Sequence, residues 1–418
     1  MSLRPQQIGQ LAAAIADVRP LSAPADAMLY QHFRRHPALG QQDRAFITEG
    51  VFAWLRRRRS LELLAGSTHP SKLALAVVVR ERGISIRDLE PVLSKADAEW
   101  ARDFKSRLAT ELPPAVAADL PDWLWDRLGA AYGDEERLPL TRAWLAPAPL
   151  DLRINPLQTT RADAIVRLAA SGIAAEATPY SPLGLRIQGR PNLSRHPLFA
   201  SGAIEIQDES SQLAGYLVAP KRNDMVVDFC AGAGGKTLLM GALMRSQGRL
   251  YAFDVVERRL MNLKPRLKRS GLSNVHPQLL LSERDTKVKR LAGKIDRVLV
   301  DAPCTGFGTL RRNPDLKWRQ PETGLAELVT KQTLILDAAA TLVKPGGRLV
   351  YATCSVLPDE NEAIVTAFLA KHPQFVPGDA TAELARAGIV LDTGPTMKLF
   401  PHKHGTDGFF AAILERTA

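Results

Sequence analysis

Three cysteines and one aspartate stand where an open α/β sheet keeps its ligands. Cys230 follows the apolar run Met225–Phe229 and opens Cys230-Ala-Gly-Ala-Gly-Gly-Lys236. Asp301 and Cys304 lie in Val298-Leu-Val-Asp-Ala-Pro-Cys-Thr-Gly306, and Cys354 in Leu349-Val-Tyr-Ala-Thr-Cys-Ser355. A thiolate is a strong nucleophile and a nearby carboxylate can stabilise charge, so the set suits covalent catalysis. A lone cysteine is more often a small buried hydrophobe. Here all three follow predicted strands, and coincidence is the weaker account. No CxxC pair or HExxH stretch occurs, so a structural metal site has no motif behind it. An odd, sparse cysteine count argues against a disulfide framework and fits a reducing cytosol.

The glycine loop Asp228–Thr237 admits three ligand classes. A phosphate loop, GxxxxGK[ST], fits Gly235-Lys236-Thr237 but needs glycine where Cys230 stands. A dinucleotide GxGxxG starting at Gly232 and Gly234 needs glycine where Thr237 stands. The third class is S-adenosylmethionine, which needs a tight turn under its methionine part and an acid for its ribose. Asp254 ends the next predicted strand 19 residues past Gly235, the spacing of a ribose-binding acid. The plain alternative is a tight turn with no ligand.

Residues from about 222 onward alternate apolar runs with helical segments. The runs Met225–Phe229, Arg249–Phe253, Val275–Leu280, Ile295–Val300 and Leu349–Ala352 predict a doubly wound, mostly parallel sheet. Residues 1–115 carry apolar positions at helical spacing, cut by Pro20, Pro37, Gly40, Gly66 and Pro70, and predict a helical bundle. Residues 120–220 mix alternating stretches with the helical Arg161–Ala170 and predict a small α+β module. The catalytic domain is expected over 221–418.

The chain has 418 residues, with Lys+Arg 55 against Asp+Glu 44, a net charge of +11. Such a basic balance fits a nucleic-acid binder, or else an unspecialised basic enzyme. The run Arg56–Arg59 faces RNA in one reading and is a solvated helix end in the other. The longest apolar stretches, such as Leu73–Val79, fall far short of a membrane span, and the first residues lack a secretory pattern. The expectation is a cytoplasmic monomer.

Asp301-Ala-Pro-Cys304 with the following Arg311-Arg312-Asn-Pro-Asp-Leu-Lys-Trp318 resembles the fourth motif of the RNA cytosine-5 methyltransferases of the Fmu/Sun/NOP2 type. Tyr351-Ala-Thr-Cys354-Ser-Val-Leu-Pro-Asp-Glu-Asn361 resembles the sixth motif, Asp228–Lys236 the first, and Gly405-Thr-Asp-Gly-Phe-Phe410 the closing strand. Gln207-Asp-Glu-Ser-Ser211 is similar to the segment leading into that domain. The match covers about residues 145–418. The N-terminal helices resemble the NusB-like RNA-binding domain of the bacterial 16S ribosomal RNA methyltransferase B branch. One departure is Ala233, where the family has proline.

The resemblance implies a Rossmann-like S-adenosylmethionine-dependent methyltransferase making 5-methylcytosine in ribosomal RNA. It implies Cys354 as the nucleophile on cytosine C6, Cys304 as the product-release group, and Asp301 shared between base and cofactor. It also implies that Cys230, Ala231, Gly232, Ala233, Gly234, Gly235 and Lys236 surround methionine, with Asp254 on the ribose. Asp285 is expected near the adenine, with Glu283 as its substitute or a solvated loop acid as the alternative. Arg311, Arg312 and Lys317, with Arg319, Arg266, Lys268 and Arg269, are expected along the RNA backbone. Trp318 stacks on a base or packs in a core. Transfer RNA as substrate, or an idle RNA-binding assembly factor of the same fold, are the competing functions.

Overall fold

The computed structural model describes residues 4–417. The chain divides into two compact units. One is helical, runs to Pro147 and takes back Leu310–Glu322; the other holds Ala148–Thr309 and the chain from Thr323 on.

The helical unit is built on Pro5–Val18, Ala25–Arg35, Gln41–Arg56, Arg58–Ala65, Pro70–Arg80, Lys95–Arg107 and Asp122–Trp144. Pro70–Arg80 is apolar around most of its circumference, and every residue from Leu73 to Val79 is buried. A helix of that kind can only be a central one, and it packs against the first, third, fourth and sixth of these helices. The helical region thus extends past the expected boundary at 115. Asp122–Trp144 joins it, bent at Gly133 (φ +63°) with Pro139 inside.

The Leu310–Glu322 segment is built into this unit rather than displayed on it. The Asp315 carboxylate accepts from the Ala25 amide at 3.3 Å. Trp318 donates from its indole to the Leu55 carbonyl at 2.7 Å. That settles Trp318 in favour of packing. Lys317 is 1% exposed and donates to the Arg56 carbonyl at 2.8 Å. Lys317 therefore has no surface to offer a phosphate, which corrects its expected role on RNA. Arg311 is also buried, and Arg312 is half-buried. In the arginine run, Arg57, Arg58 and Arg59 pair with Glu81, Glu62 and Asp122.

The second unit carries two sheets. The small one is antiparallel: β1 (Leu150–Ile154), β2 (Ala175–Ala177), β3 (Gly184–Ile187) and β4 (Ile204–Ile206), ordered β2-β3-β1-β4. Leu152, Ile154, Leu185 and Ile204 share its core with Ala164 and Leu168 of the helix Arg161–Ala169. The large sheet contains β5 (Met225–Asp228), β6 (Arg249–Asp254), β7 (Val275–Leu279), β8 (Ile295–Asp301), β9 (Val343–Thr353), β10 (Phe375–Pro377), β11 (Met397–Leu399) and β12 (Phe409–Arg416). Its order is β10-β12-β9-β8-β5-β6-β7, with β11 on β12. β5 to β9 pair in parallel, and β12 inserts antiparallel between β9 and β10. Burial on both faces explains why the parallel strands read as apolar runs. β10 and β11 have three residues each, too few for alternation to show.

From β5 the chain proceeds to β6 on one side and returns to β8 on the other. Their loops part there and leave a crevice at the carboxyl ends.

Burial pushes the Lys317 ammonium down to about 7, with Asp119 opposing and Arg56 and Arg57 assisting. A lysine that titrates lower when folded favours the folded chain most above its unfolded value, and that contribution is lost as pH falls through 7. Lys317→Met should therefore flatten the gain in stability between about pH 7 and 10. Denaturant melts at both ends of that window check it; an unchanged gain would assign it to another group.

Candidate active site

A cavity of about 590 Å³ opens at the crevice. One wall is the glycine loop. The Ala231 amide donates to the Phe253 carbonyl and the Gly234 amide to the Ala231 carbonyl, each at 2.8 Å. This tight turn needs left-handed backbone at Gly232 (φ +57°) and Gly234 (φ +84°). A Cβ on Gly234 would lie 2.1 Å from a Leu263 methyl, so glycine is required there twice over. A Cβ on Gly232 would meet nothing within 4 Å, which leaves open space beside the loop backbone where it lines the cavity. The loop is braced from behind. Arg266 donates to the Ala233 carbonyl and Arg153 to the Gly235 carbonyl, both at 2.6 Å. Arg266 and Arg269 in turn both clasp the buried Glu205 of β4. These two arginines are thus engaged by protein, not displayed to RNA.

Asp254, 4% exposed, ends β6 on the cavity wall. Its two oxygens accept the Gly232 amide at 2.9 Å and the Val256 amide at 2.7 Å. Asp301, at the end of β8, pairs with the Lys236 ammonium at 2.7 Å. Beneath them Asp228 accepts from the Thr237 hydroxyl at 2.6 Å while its other oxygen has no hydrogen-bond partner. Burial pushes Asp228 up to about 7, and the nearby Asp301 adds to the shift. Burial also pushes the Cys230 thiol up, which leaves it unreactive.

The opposite wall holds the other two cysteines. Cys304 and Cys354 approach to 3.4 Å between sulfurs. The hydrogen bond with Cys354, then burial, raises the Cys304 thiol well above its ordinary value. Cys304 therefore holds its proton more tightly than an ordinary thiol. The two loops that carry them are tied by Glu360, which is fully buried. Its carboxylate accepts the Thr305 amide at 2.8 Å, the Thr305 hydroxyl at 2.5 Å and the Gln332 amide group at 2.9 Å, and takes the Ser355 hydroxyl as well. Gly308 donates to the Cys354 carbonyl at 2.9 Å. A Cβ on Gly308 would lie 2.0 Å from the Gly408 carbonyl oxygen, so the closing segment before β12 locks the same corner.

Of the residues expected here, Cys230, Ala231, Gly232, Ala233, Gly235, Lys236, Asp254, Asp301, Cys304 and Cys354 line the cavity, and Gly234 forms the turn behind it. Asp285 does not. It caps the helix Thr286–Arg290, accepting the Leu281 and Lys287 amides at 2.9 Å, and those bonds hold its carboxyl below the usual range. Glu283 lines the cavity in its place. Sequence reasoning missed Glu360, Arg153 and Glu205, whose partners are remote along the chain. It also missed Lys331 and Ile335, which line the cavity from the helix Glu322–Ala340 at a spacing of one turn.

The open side of Gly232 and the Asp254 carboxylate fit an adenosyl cofactor. The glycine loop would hold the amino-acid part and Asp254 the ribose.

Comparison with known proteins agrees. The family model "16S rRNA methyltransferase RsmB/F" matches residues 215–415, and the ferredoxin-like domain model of the same proteins matches 120–194. A probable ribosomal RNA small subunit methyltransferase B of Synechocystis is 32% identical over 96% of this chain and 97% of its own length. The ribosomal RNA small subunit methyltransferase B of Sodalis glossinidius is 31% identical over 90% of each. Among solved structures, PH0851 superposes with a TM-score of 0.79 at 27% identity over the whole of both chains. A methyltransferase homologue from Pyrococcus horikoshii gives 0.61 at 29% identity, over 73% of this chain and all of its own. With full-length relatives of this kind, the chain belongs to the RsmB-type Fmu/Sun family of S-adenosylmethionine-dependent methyltransferases.

Proposed function

We propose that this protein methylates carbon 5 of a cytosine in small-subunit ribosomal RNA through a covalent adduct on Cys354. The observation that carries the reading is the Cys304–Cys354 pair, 3.4 Å apart on the wall facing Asp254 and the glycine loop. A second thiol beside a nucleophile serves a reaction that both forms and breaks a carbon–sulfur bond. An idle binding factor has no use for such a pair. The relatives' names favour ribosomal over transfer RNA. The basic net charge supports an RNA substrate.

Cytosine C5 is a poor nucleophile until C6 is saturated. The Cys354 thiolate adds to C6, and the C5–C6 π pair moves toward C5 and N3. Asp301, held in place by Lys236, accepts a hydrogen bond from the exocyclic amine as charge builds on the ring. Bound S-adenosylmethionine would supply an electrophilic methyl group to C5, its methyl–sulfonium bond breaking to leave a neutral thioether. C5 then carries both that methyl and a hydrogen. Formation of the carbon–sulfur bond ends the hydrogen bond between the two thiols. Cys304 can then lose its proton to solvent and accept the one on C5. The released C5–H pair re-forms the double bond, and the C6–S pair leaves with Cys354, regenerating its thiolate. The target base must leave any stacked helix to reach these sulfurs.

The two cysteines should separate on substitution. Cys354→Ala should abolish both methyl transfer and any denaturant-stable RNA adduct. Cys304→Ala should still attack and methylate, then stall, giving a slow band on a denaturing gel. Reversed behaviour would exchange the roles, and full activity in both variants would end the thiol mechanism. Bisulfite sequencing of ribosomal RNA from cells lacking the gene should show one cytosine losing its protection.

Asp254→Asn keeps an acceptor but loses the charge facing the ribose. Calorimetry should show S-adenosylmethionine binding weaker by about 1.5–3 kcal/mol, roughly 10- to 150-fold. Unchanged affinity would remove Asp254 from the cofactor site.

Of Arg311, Arg312 and Lys317, Arg312 retains the most surface, and it stays in that role together with the exposed Lys268. Arg312→Ala should lower the slope of log affinity against log salt by about 0.7–0.9. An unaltered slope would move the RNA path elsewhere.

A further inference from the structure

Among the described residues, one group of metal-ligating side chains lies outside the site above: Asp17, His32 and His36. Asp17 is in the last turn of Pro5–Val18. His32 is in the last turn of Ala25–Arg35, and His36 follows that helix as its cap, its amide donating to the His32 carbonyl. The sequence here is His32-Phe-Arg-Arg-His36. Four residues is one helical turn, so both imidazoles lie on one face, the geometry by which HExxH helices hold zinc. Phe33 stands where that motif has its glutamate, which is why no motif marks the site.

The three residues converge. One potential ligand atom from each lies within 4.8 Å of the others. The His32 ring nitrogen Nδ1 is 2.6 Å from the Asp17 carboxylate, and the two imidazole centroids are 4.5 Å apart. Ligands at about 2.0–2.2 Å from a tetrahedral ion stand about 3.4 Å from one another, so the Asp17–His32 pair has to open by about 0.8 Å and the wider pairs close by at most about 1.4 Å. His32 is 1% exposed and already oriented by the carboxylate. His36 is exposed, and the structure gives its imidazole no hydrogen bond among the described residues. One fixed imidazole, one free imidazole and a carboxylate from a neighbouring helix make a usable donor set.

Arg35 competes, since it binds the same Asp17 oxygen at 2.8 Å. Its side chain is 59% exposed and can turn into water without opening the core. An arriving dication would displace a surface guanidinium, not a buried one.

We propose that Asp17, His32 and His36 bind one divalent transition ion of the zinc type, with water at the fourth position. Two nitrogens and one oxygen suit zinc, nickel or copper better than calcium or magnesium. The ion would join the C-terminal ends of the first two helices, whose connection runs through Arg19 to Pro24. Because the ion binds the folded form, it should stabilise the chain by mass action. It serves no catalytic step proposed above.

The test uses the full-length chain without a histidine tag. Cobalt(II) is the optical probe and zinc(II) the stability probe. One equivalent of cobalt should give visible ligand-field bands without thiolate-to-cobalt charge transfer, which sets this site apart from Cys304 and Cys354. Zinc at about 100 µM should raise the melting temperature of the native chain. His36→Ala should weaken binding at least ten-fold and abolish the zinc-induced rise, while the metal-free melting temperature stays put because His36 is exposed. Asp17→Asn should weaken binding as well. No binding at about 100 µM ion, or binding undiminished in His36→Ala, overturns the proposal.

Discussion

A carboxylate with no access to water ties together the two loops on which the chemistry depends. Glu360 accepts hydrogen bonds from Thr305, Ser355 and Gln332, one residue past Cys304, one past Cys354, and on the helix between them. A buried anion is costly unless its lone pairs are satisfied, and a satisfied one holds its donors in a single geometry. The two sulfurs are 3.4 Å apart because their neighbours share one acceptor. The surrounding contacts reinforce that point: Gly308 on the Cys354 carbonyl, Gly408 against Gly308, and the Thr353 hydroxyl on Asn361.

The facing wall is organised by the opposite sign of charge. The glycine loop turns its carbonyls at Ala233 and Gly235 toward Arg266 and Arg153, and Glu205 of the small sheet clasps Arg266 and Arg269. The carbonyls are thereby occupied from behind, and the cavity face is left to the loop backbone and to Asp254. The bracing crosses from β4 to the helix Glu257–Ser270, so the small sheet contributes to the shape of the cofactor loop and not only to surface area. The two walls meet at the Lys236–Asp301 pair. A carboxylate fixed there can serve cofactor and base alike, since it stands at the end of β8 beside both.

The helical unit shows a different use of charge. Lys317 and Asp119 are both buried, and their pKa values move toward neutrality from opposite sides, the lysine down and the aspartate up. The segment that follows the Asp301–Cys304 motif is consumed in this packing. Basic residues in a nucleic-acid enzyme are therefore not all contacts to phosphate; some hold the fold together through main-chain carbonyls, as Lys317 does with Arg56.

The chain by itself determined the parallel strands, the glycine turn and the residues at strand ends. Those features are local: an apolar run, a turn that only glycine can make, and an acid at ribose spacing each lie within one short window. It also determined the family, because its motifs are contiguous. Tertiary structure alone decided what depends on partners far away in sequence. Asp285 and Glu283 are two residues apart, and only the fold shows that one caps a helix while the other lines the cavity. Lys317 reads as a surface residue beside a catalytic loop, and Trp318 is left between base stacking and core packing, until their carbonyl partners at Arg56 and Leu55 appear, more than 250 residues earlier. Asp17 and the His32–His36 pair come together only when two helices lie side by side. In each case burial and hydrogen bonding, which no local pattern encodes, set the role of the side chain.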